Sequence, residues 1–236
     1  MSKYEIETVK LQAPKFDRKD LEYAMTYRYA CKKFDPSKKI SDEDWNAILQ
    51  AARLAPTSLG FEPFQLLVIQ NPEIREKMKG YGWGGIQAGL EASHFVVILA
   101  RKKIDLEFDS PYIRHIQEEV KQLPAEIDAA YRDFYAGFTT EDYKTFESER
   151  AAFDWTSKQA YIVMANMLTM AAYEGLDSCP LEGFNQDKMT AFLGDELGLF
   201  DTKHFGIAVM AAFGYRDEEP HRNKTRRTMD EIVRVI

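Results

Sequence analysis

The chain has 236 residues, 45% hydrophobic and 29% charged, with a formal net charge of −7. That balance excludes a disordered chain, and the length suits a single domain over 1–236 better than two small ones. The acidic charge argues against a general nucleic-acid binder, and two cysteines, Cys31 and Cys179, cannot build a disulfide framework or a zinc site of four cysteines.

The opening segment, MSKYEIETVKLQAPKFDRKD, is polar, and no run reaches the roughly 18 apolar residues of a spanning helix. A cytoplasmic protein with reduced thiols and no membrane contact is therefore expected. Residues 19–30 place Leu21, Ala24 and Met25 on one helical face. Ser41 is a good N-cap for a helix carrying Trp45, Ile48, Leu49 and Ala52 at helical spacing, ended before Pro56. FQLLVIQ at 64–70 reads as a strand, and Asn71-Pro72 opens a short helix that Gly80 closes. GYGWGG at 80–85 reads as a flexible loop, and 85–94 as a helix leading into the strand FVVILA at 95–100.

From about 103 to 153 the chain is charged, helix-forming and dense in aromatics, which predicts a two-helix excursion or lid. SKQAYIVMANMLTMAAYEG at 157–175 is apolar almost all round, the mark of a central buried helix, with Gly175 as its stop. A loop, CPLEGF, and a helix around 186–193 precede a last long strand at 205–213. Helices come first, then strands separated by helices without regular βαβ alternation. The expectation is an α+β fold with a mostly antiparallel central sheet flanked by helices. There is no GxGxxG after a strand and no GxxxxGK[ST], so phosphate loops of the Rossmann and P-loop kinds are absent.

Two basic clusters stand against the acidic background: Arg28, Lys32 and Lys33 in RYACKKFD, and Arg222, Lys224, Arg226 and Arg227 in HRNKTRR. Each reads either as a solvated face or as a phosphate site, where guanidinium forks and ammonium groups make charge-assisted hydrogen bonds. His94, His115, His204 and His221 form no HxxxH or HExxH, so no metal site is expected, and no GxSxG motivates a hydrolase. Cys31 reads as a small filler.

RYACKKFD, then a helix, then APTSLGFEPFQLLV resembles the N-terminal signature of nitroreductase-family flavoproteins. LEASHFVVILA, GLDSCPLEGF and the final KTRR resemble that family's later segments, in order, from about residue 20 to 232. The resemblance implies an FMN-dependent oxidoreductase using NAD(P)H in a ping-pong cycle, with nitroaromatics, quinones or free flavins as two-electron acceptors. It implies that Arg28, Lys224 and Arg226 bind the FMN phosphate, helped by the backbone at Tyr29 and Ala30, and that Lys32 sits at the N1–C2=O edge. Pro56, Thr57 and Ser58 would come from a partner subunit. Pro180, Leu181, Glu182 and Gly183 would lie against the flavin, with a main-chain N–H of Glu182 or Gly183 towards N5.

This chain also departs from the family pattern, with Gly60, Gly85 and Ala88 where relatives carry polar contacts, so Gln87 is the nearest polar candidate at the pyrimidine edge. Phe108, Tyr131 and Phe134 are the expected acceptor contacts. A homodimer is implied, with the tail TMDEIVRVI exchanged as a strand onto the partner, its apolar Ile232, Val233, Val235 and Ile236 suiting that role. Two alternatives stay open: another enzyme of the family, either a dedicated flavin reductase or a member with a specialised dehydrogenase substrate, or a flavin-binding protein without turnover.

Overall fold

The computed structural model describes residues 3–6 and 17–236. Much of the polar opening segment therefore lies outside the described residues. Asp17 caps α1 (Arg18–Tyr27) by accepting from the Lys19 N–H. Ser41 caps α2 (Asp42–Arg53) as its position predicts, accepting from the Asp44 N–H at 3.1 Å. The first strand, β1, is Phe64–Val68. Asn71 then caps α3 (Pro72–Met78), with proline in the first turn where its missing N–H costs nothing.

Next come α4 (Gly85–Glu91) and β2 (His94–Arg101). The excursion follows: α5 (Pro111–Arg114), continued by a π-turn to Val120, and α6 (Ala125–Gly137), continued by a second π-turn to Asp142. The long helix α7 (Glu149–Tyr173) begins earlier than its apolar run, because the Ser148 hydroxyl caps it at the Ala151 N–H, 3.0 Å. Gly175, at φ +74°, lets the chain leave it. β3 (Asp177–Leu181), α8 (Gln186–Thr190), β4 (Phe205–Gly214) and α9 (Met229–Ile232) complete the order.

The sheet runs β1-β2-β4-β3, antiparallel throughout. All of β4 is buried, as are the six central residues of β2. Both faces of the sheet are covered, which explains why these strands read as unbroken apolar runs rather than alternating ones. Phe95, Val97, Leu99 and Met210 face Met78, Ile86 and Phe192. Val96, Ile98, Val209 and Ala211 face Ile48 of α2 and Val163, Met167 and Ala171 of α7. Each of these valine, leucine, isoleucine, phenylalanine and methionine side chains contributes roughly 1.5–3 kcal/mol by leaving water. The excursion has its own core, with Phe61, Leu106, Phe108, Ile113, Tyr135 and Trp155.

Several expectations need correction. Cys179, Pro180 and Leu181 are not loop but the end of β3, an edge strand, where proline costs no ladder bond facing the neighbour. Of the expected apolar face of α1 only Ala24 is buried; Leu21 is 47% and Met25 39% exposed. GYGWGG is no free loop: Gly82 bridges Phe184, and the Trp83 N–H donates to the Gly183 carbonyl at 2.9 Å. A Cβ on Gly82 would meet that carbonyl at 2.9 Å, so only glycine permits the approach. The tail enters a helical turn, stabilised by a Thr228–Glu231 capping box, before Val233–Ile236 runs on, exposed and outside the sheet of its own chain.

Candidate functional site

The first basic cluster sits where α1 ends. Arg216, just beyond β4, forms an ion pair at 2.7 Å with the buried Asp177 at the start of β3. Its guanidinium lies 4.3 Å from the Tyr27 ring centre and 4.7 Å from that of Tyr29. This stack pins the end of α1 to the sheet edge, and sequence reading missed it because its members are far apart in the chain. Burial and the neighbouring Asp177 carboxylate push the Tyr27 hydroxyl up. Ala30 then bridges Ser178, and the Cys31 N–H donates to the Ser178 carbonyl at 3.0 Å.

That pairing lays Lys32 along β3. Its ammonium donates to the Cys179 sulfur at 3.3 Å. Burial raises the Cys179 thiol, and the Lys32 charge opposes the rise. The Cys31 thiol, pushed up by burial, donates to the Lys33 carbonyl at 3.1 Å. Both cysteines are free and buried, as the filler reading of Cys31 requires.

The second basic cluster returns to the same place. Lys224 donates to the carbonyls of Met25 and Thr26, each at 2.9 Å, and to that of Arg28. Desolvation, then the charges of Arg28 and Arg226, hold its ammonium below the ordinary lysine range. Arg28 Nε is buried without a hydrogen-bond partner. Among the described residues, no carboxylate lies within ion-pair distance of Arg28, Lys224 or Arg226. Cations held together, one with an orphaned donor, are unfavourable unless an anion completes them. The donor set fits a phosphate monoester.

The chain then leaves β3 through Glu182 and Gly183. Tyr161 of α7 donates its hydroxyl to the Glu182 carboxylate. Burial, followed by that carboxylate, raises the Tyr161 hydroxyl. Glu182 is thus held, not a loose surface charge. The indole of Trp83, 67% exposed, stands against Gly183: a Cβ there would lie 3.1 Å from its Nε1. Neither Tyr161 nor Trp83 was anticipated; an exposed tryptophan in a glycine-rich run was the available signal for Trp83. Gln87 is exposed on α4, whereas Ala88 is fully buried and Gly85 packs so close to Leu181 that a Cβ would lie 2.7 Å from it. The structure therefore brings Arg28, Tyr29, Ala30, Lys32, Pro180, Leu181, Glu182, Gly183, Lys224 and Arg226 to one edge of the sheet, with Gln87 on the adjoining helix.

Pro56, Thr57 and Ser58 are elsewhere. They line a cavity of about 490 Å³ with Phe138, Tyr143, Trp155, Lys158, Gln159 and Ile162. The Ser58 N–H donates to the buried Gln159 side chain at 2.8 Å, and the Thr57 hydroxyl accepts from the Glu62 N–H at 3.0 Å. Of the expected acceptor contacts, Phe134 is 51% exposed, but Phe108 is only 9% exposed and packs beneath Arg132. Tyr131 turns its hydroxyl towards the Leu59 carbonyl, 3.4 Å away. Among the described residues no cluster of histidine, cysteine, aspartate or glutamate could hold a metal, and no helix is long and apolar enough to cross a membrane.

The nitroreductase family profile matches residues 25–215. A Staphylococcus epidermidis protein is 48% identical over 213 residues, covering 90% of this chain and 95% of its own length. Bacillus subtilis YfkO is 46% identical, with 90% and 96% covered. The names of both propose NAD(P)H nitroreductase activity. Among solved structures, an Exiguobacterium sibiricum protein in complex with FMN, whose name proposes a nitroreductase, aligns with a TM-score of 0.71 at 18% identity, covering 92% of this chain and 97% of that one. The enone reductase CLA-ER, from gut-bacterial fatty acid saturation metabolism, aligns with a TM-score of 0.73 at 19% identity, covering 92% and 98%. These two share the fold. The extent and identity of the sequence matches lead to one conclusion: the chain belongs to the nitroreductase family, a family of oxidoreductases.

Proposed function

We propose that this chain is an FMN-dependent oxidoreductase that takes electrons from NAD(P)H and reduces small acceptors by two electrons, working as a cytoplasmic homodimer. The observation that carries the reading is the cation cluster of Arg28, Lys224 and Arg226, which has no carboxylate partner among the described residues and leaves the Arg28 Nε orphaned, at the sheet edge that also presents Lys32 and Gly183. Bound FMN would supply the hydride-accepting and hydride-donating chemistry, alternating between nicotinamide and acceptor in a ping-pong cycle. Arg28, Lys224 and Arg226 hold the phosphate. Lys32 brings positive charge to the pyrimidine edge, where it stabilises negative charge on reduction. Outside the regular ladders, the Glu182 and Gly183 N–H groups donate to no acceptor among the described residues, which leaves them free to face N5.

Two features favour a dimer. Pro56–Ser58 make no hydrogen bond to the Arg28 edge among the described residues, so one chain does not close the site. Leu21, Met25, Ile162 and Tyr173 leave apolar surface exposed on α1 and α7, and the tail ends in the exposed Val235 and Ile236. A partner copy would cover these surfaces and bring its Pro56–Ser58 cavity, walled by Phe138 and Tyr143, over the cofactor. Nitroaromatics, quinones or other flat acceptors would enter there, with Phe134 at the rim.

The test is spectroscopic. The purified protein is expected to show flavin absorption that NADH or NADPH bleaches without oxygen and that a quinone or nitroaromatic restores. A colourless protein that takes up no FMN would sink the reading. A stable yellow protein that neither nucleotide bleaches would favour a flavin-binding protein without turnover. That second reading rests on the loss of polar groups at Gly85 and Ala88, both packed against apolar neighbours.

A further inference from the structure

The segment after Pro56 is wound tightly. Leu59 and Gly60 both have φ 58° and Glu62 has φ 49°, left-handed values that a leucine or glutamate adopts only under constraint. The constraint comes from the excursion. Lys121, at the end of the α5 π-turn, donates its ammonium to the Leu59 carbonyl at 2.7 Å. The same ammonium lies 4.9 Å from the Phe61 ring centre and 5.5 Å from that of Tyr131. No carboxylate lies within ion-pair distance of it among the described residues. Tyr112 donates to the Phe61 and Glu62 carbonyls at 2.6 and 2.7 Å. A half-buried lysine caught between two aromatic faces, with a strained carbonyl as its acceptor, is an expensive way to hold a surface loop.

We propose that Lys121 is a positioning residue for the cofactor: by gripping the Leu59 carbonyl it fixes the left-handed turn that presents Thr57 and Ser58 to FMN. The inference rests on the reading of Thr57 and Ser58 as flavin contacts. It gives the excursion a second task beside shaping the acceptor pocket, because anything that shifts α5 also shifts the flavin loop. Removing the ammonium frees the turn to relax towards ordinary φ, and cofactor binding must then restore the conformation that Lys121 had supplied.

The measurement is the FMN dissociation constant of the full-length protein, by quenching of flavin fluorescence, for Lys121→Met, Lys121→Arg and Thr57→Val, with apoprotein melting temperatures alongside. Lys121→Met is expected to weaken FMN about ten-fold, and Lys121→Arg, which keeps a charged donor, to recover most of that. Tight FMN binding by Lys121→Met beside weak binding by Thr57→Val would overturn the proposal and leave the flavin reading of the loop intact. Unchanged binding by both would remove the loop from the flavin site, and the proposal with it. A lowered apoprotein melting temperature with unchanged FMN affinity would make Lys121 merely structural, which also overturns it. Should Lys121→Met fail to fold, Lys121→Gln, which keeps a shorter neutral donor, is read in its place.

Discussion

The Arg28 cluster and the Pro56–Glu62 loop would both meet the cofactor, yet they are built in opposite ways. In the cluster, cations are gathered beside one another with an unpaired Nε and no carboxylate. In the loop, the backbone groups of Ser58, Leu59, Phe61 and Glu62 are tied down by Gln159, Lys121, Tyr112 and Thr57. Arg75 shows what a fully satisfied cation looks like here: it is 5% exposed, and its Nε and both terminal nitrogens donate, to the Ile69 and Ala92 carbonyls at 2.6 and 2.7 Å and to the Gln70 side chain at 2.7 Å, whereas the Arg28 Nε has no partner. Groups left incomplete point to an anionic ligand, whereas groups over-determined by the protein point to a preformed shape. On the proposed reading the cluster would supply affinity that awaits the ligand, and the loop geometry before it arrives.

The largest effect should come from the incomplete side. Replacing Arg28 and Lys224 together by alanine is expected to weaken FMN by about a hundred- to a thousand-fold, since charge-assisted bonds to phosphate are lost. The residual affinity should depend less on salt than the parent's. A loss under about three-fold, measured by fluorescence titration, would return the cluster to the status of a solvated face and break the comparison.

On the preformed side the effect should be smaller and insensitive to salt. Gln159→Ala removes the acceptor of the Ser58 N–H and is expected to cost about 1 kcal/mol of FMN affinity, roughly five-fold. Equal salt dependence in this variant and its parent is the expected result. A changed salt slope would mean that the loop acts through charge after all.

The smallest effect is a pH dependence that separates the two sides. On the proposed reading Lys224 would bind phosphate as the ammonium, and burial beside Arg28 and Arg226 lowers its pKa from the ordinary 10.5. FMN affinity should therefore be full while Lys224 is protonated and fall as pH rises, beginning below the range of an ordinary lysine. A few-fold decline is expected on the alkaline side, and Lys224→Arg should flatten it, because arginine stays charged. At the acid end affinity should rise through about pH 6 as the phosphate becomes a dianion. An identical alkaline decline in Lys224→Arg would show that another group titrates.

Local chemistry was legible along the chain. Ser41 and Asn71 cap helices because a short polar side chain reaches the next N–H groups whatever the rest of the fold does. The buried strands at 95–100 and 205–213, the long apolar helix and the two-helix excursion follow from periodicity and length. The order of short motifs carried the family, and with it the identities of the candidate site residues. Cys179-Pro180-Leu181 was misread as loop because proline and a neighbouring glycine signal turns, while an edge strand that tolerates both is defined only by its neighbour β4.

What the sequence by itself determined is most of the helices, the strands β1, β2 and β4, the α+β class and the two basic segments, since each depends on residues within a few positions of one another. Only the tertiary structure decided that Lys224 returns across the chain to the Arg28 carbonyl, that Tyr161 holds Glu182, and that Lys121 grips Leu59. Those contacts join residues separated by 196, 21 and 62 positions. Spacing along the chain carries no trace of such pairs; packing in three dimensions brings them together, and burial then makes their charges and hydrogen bonds count.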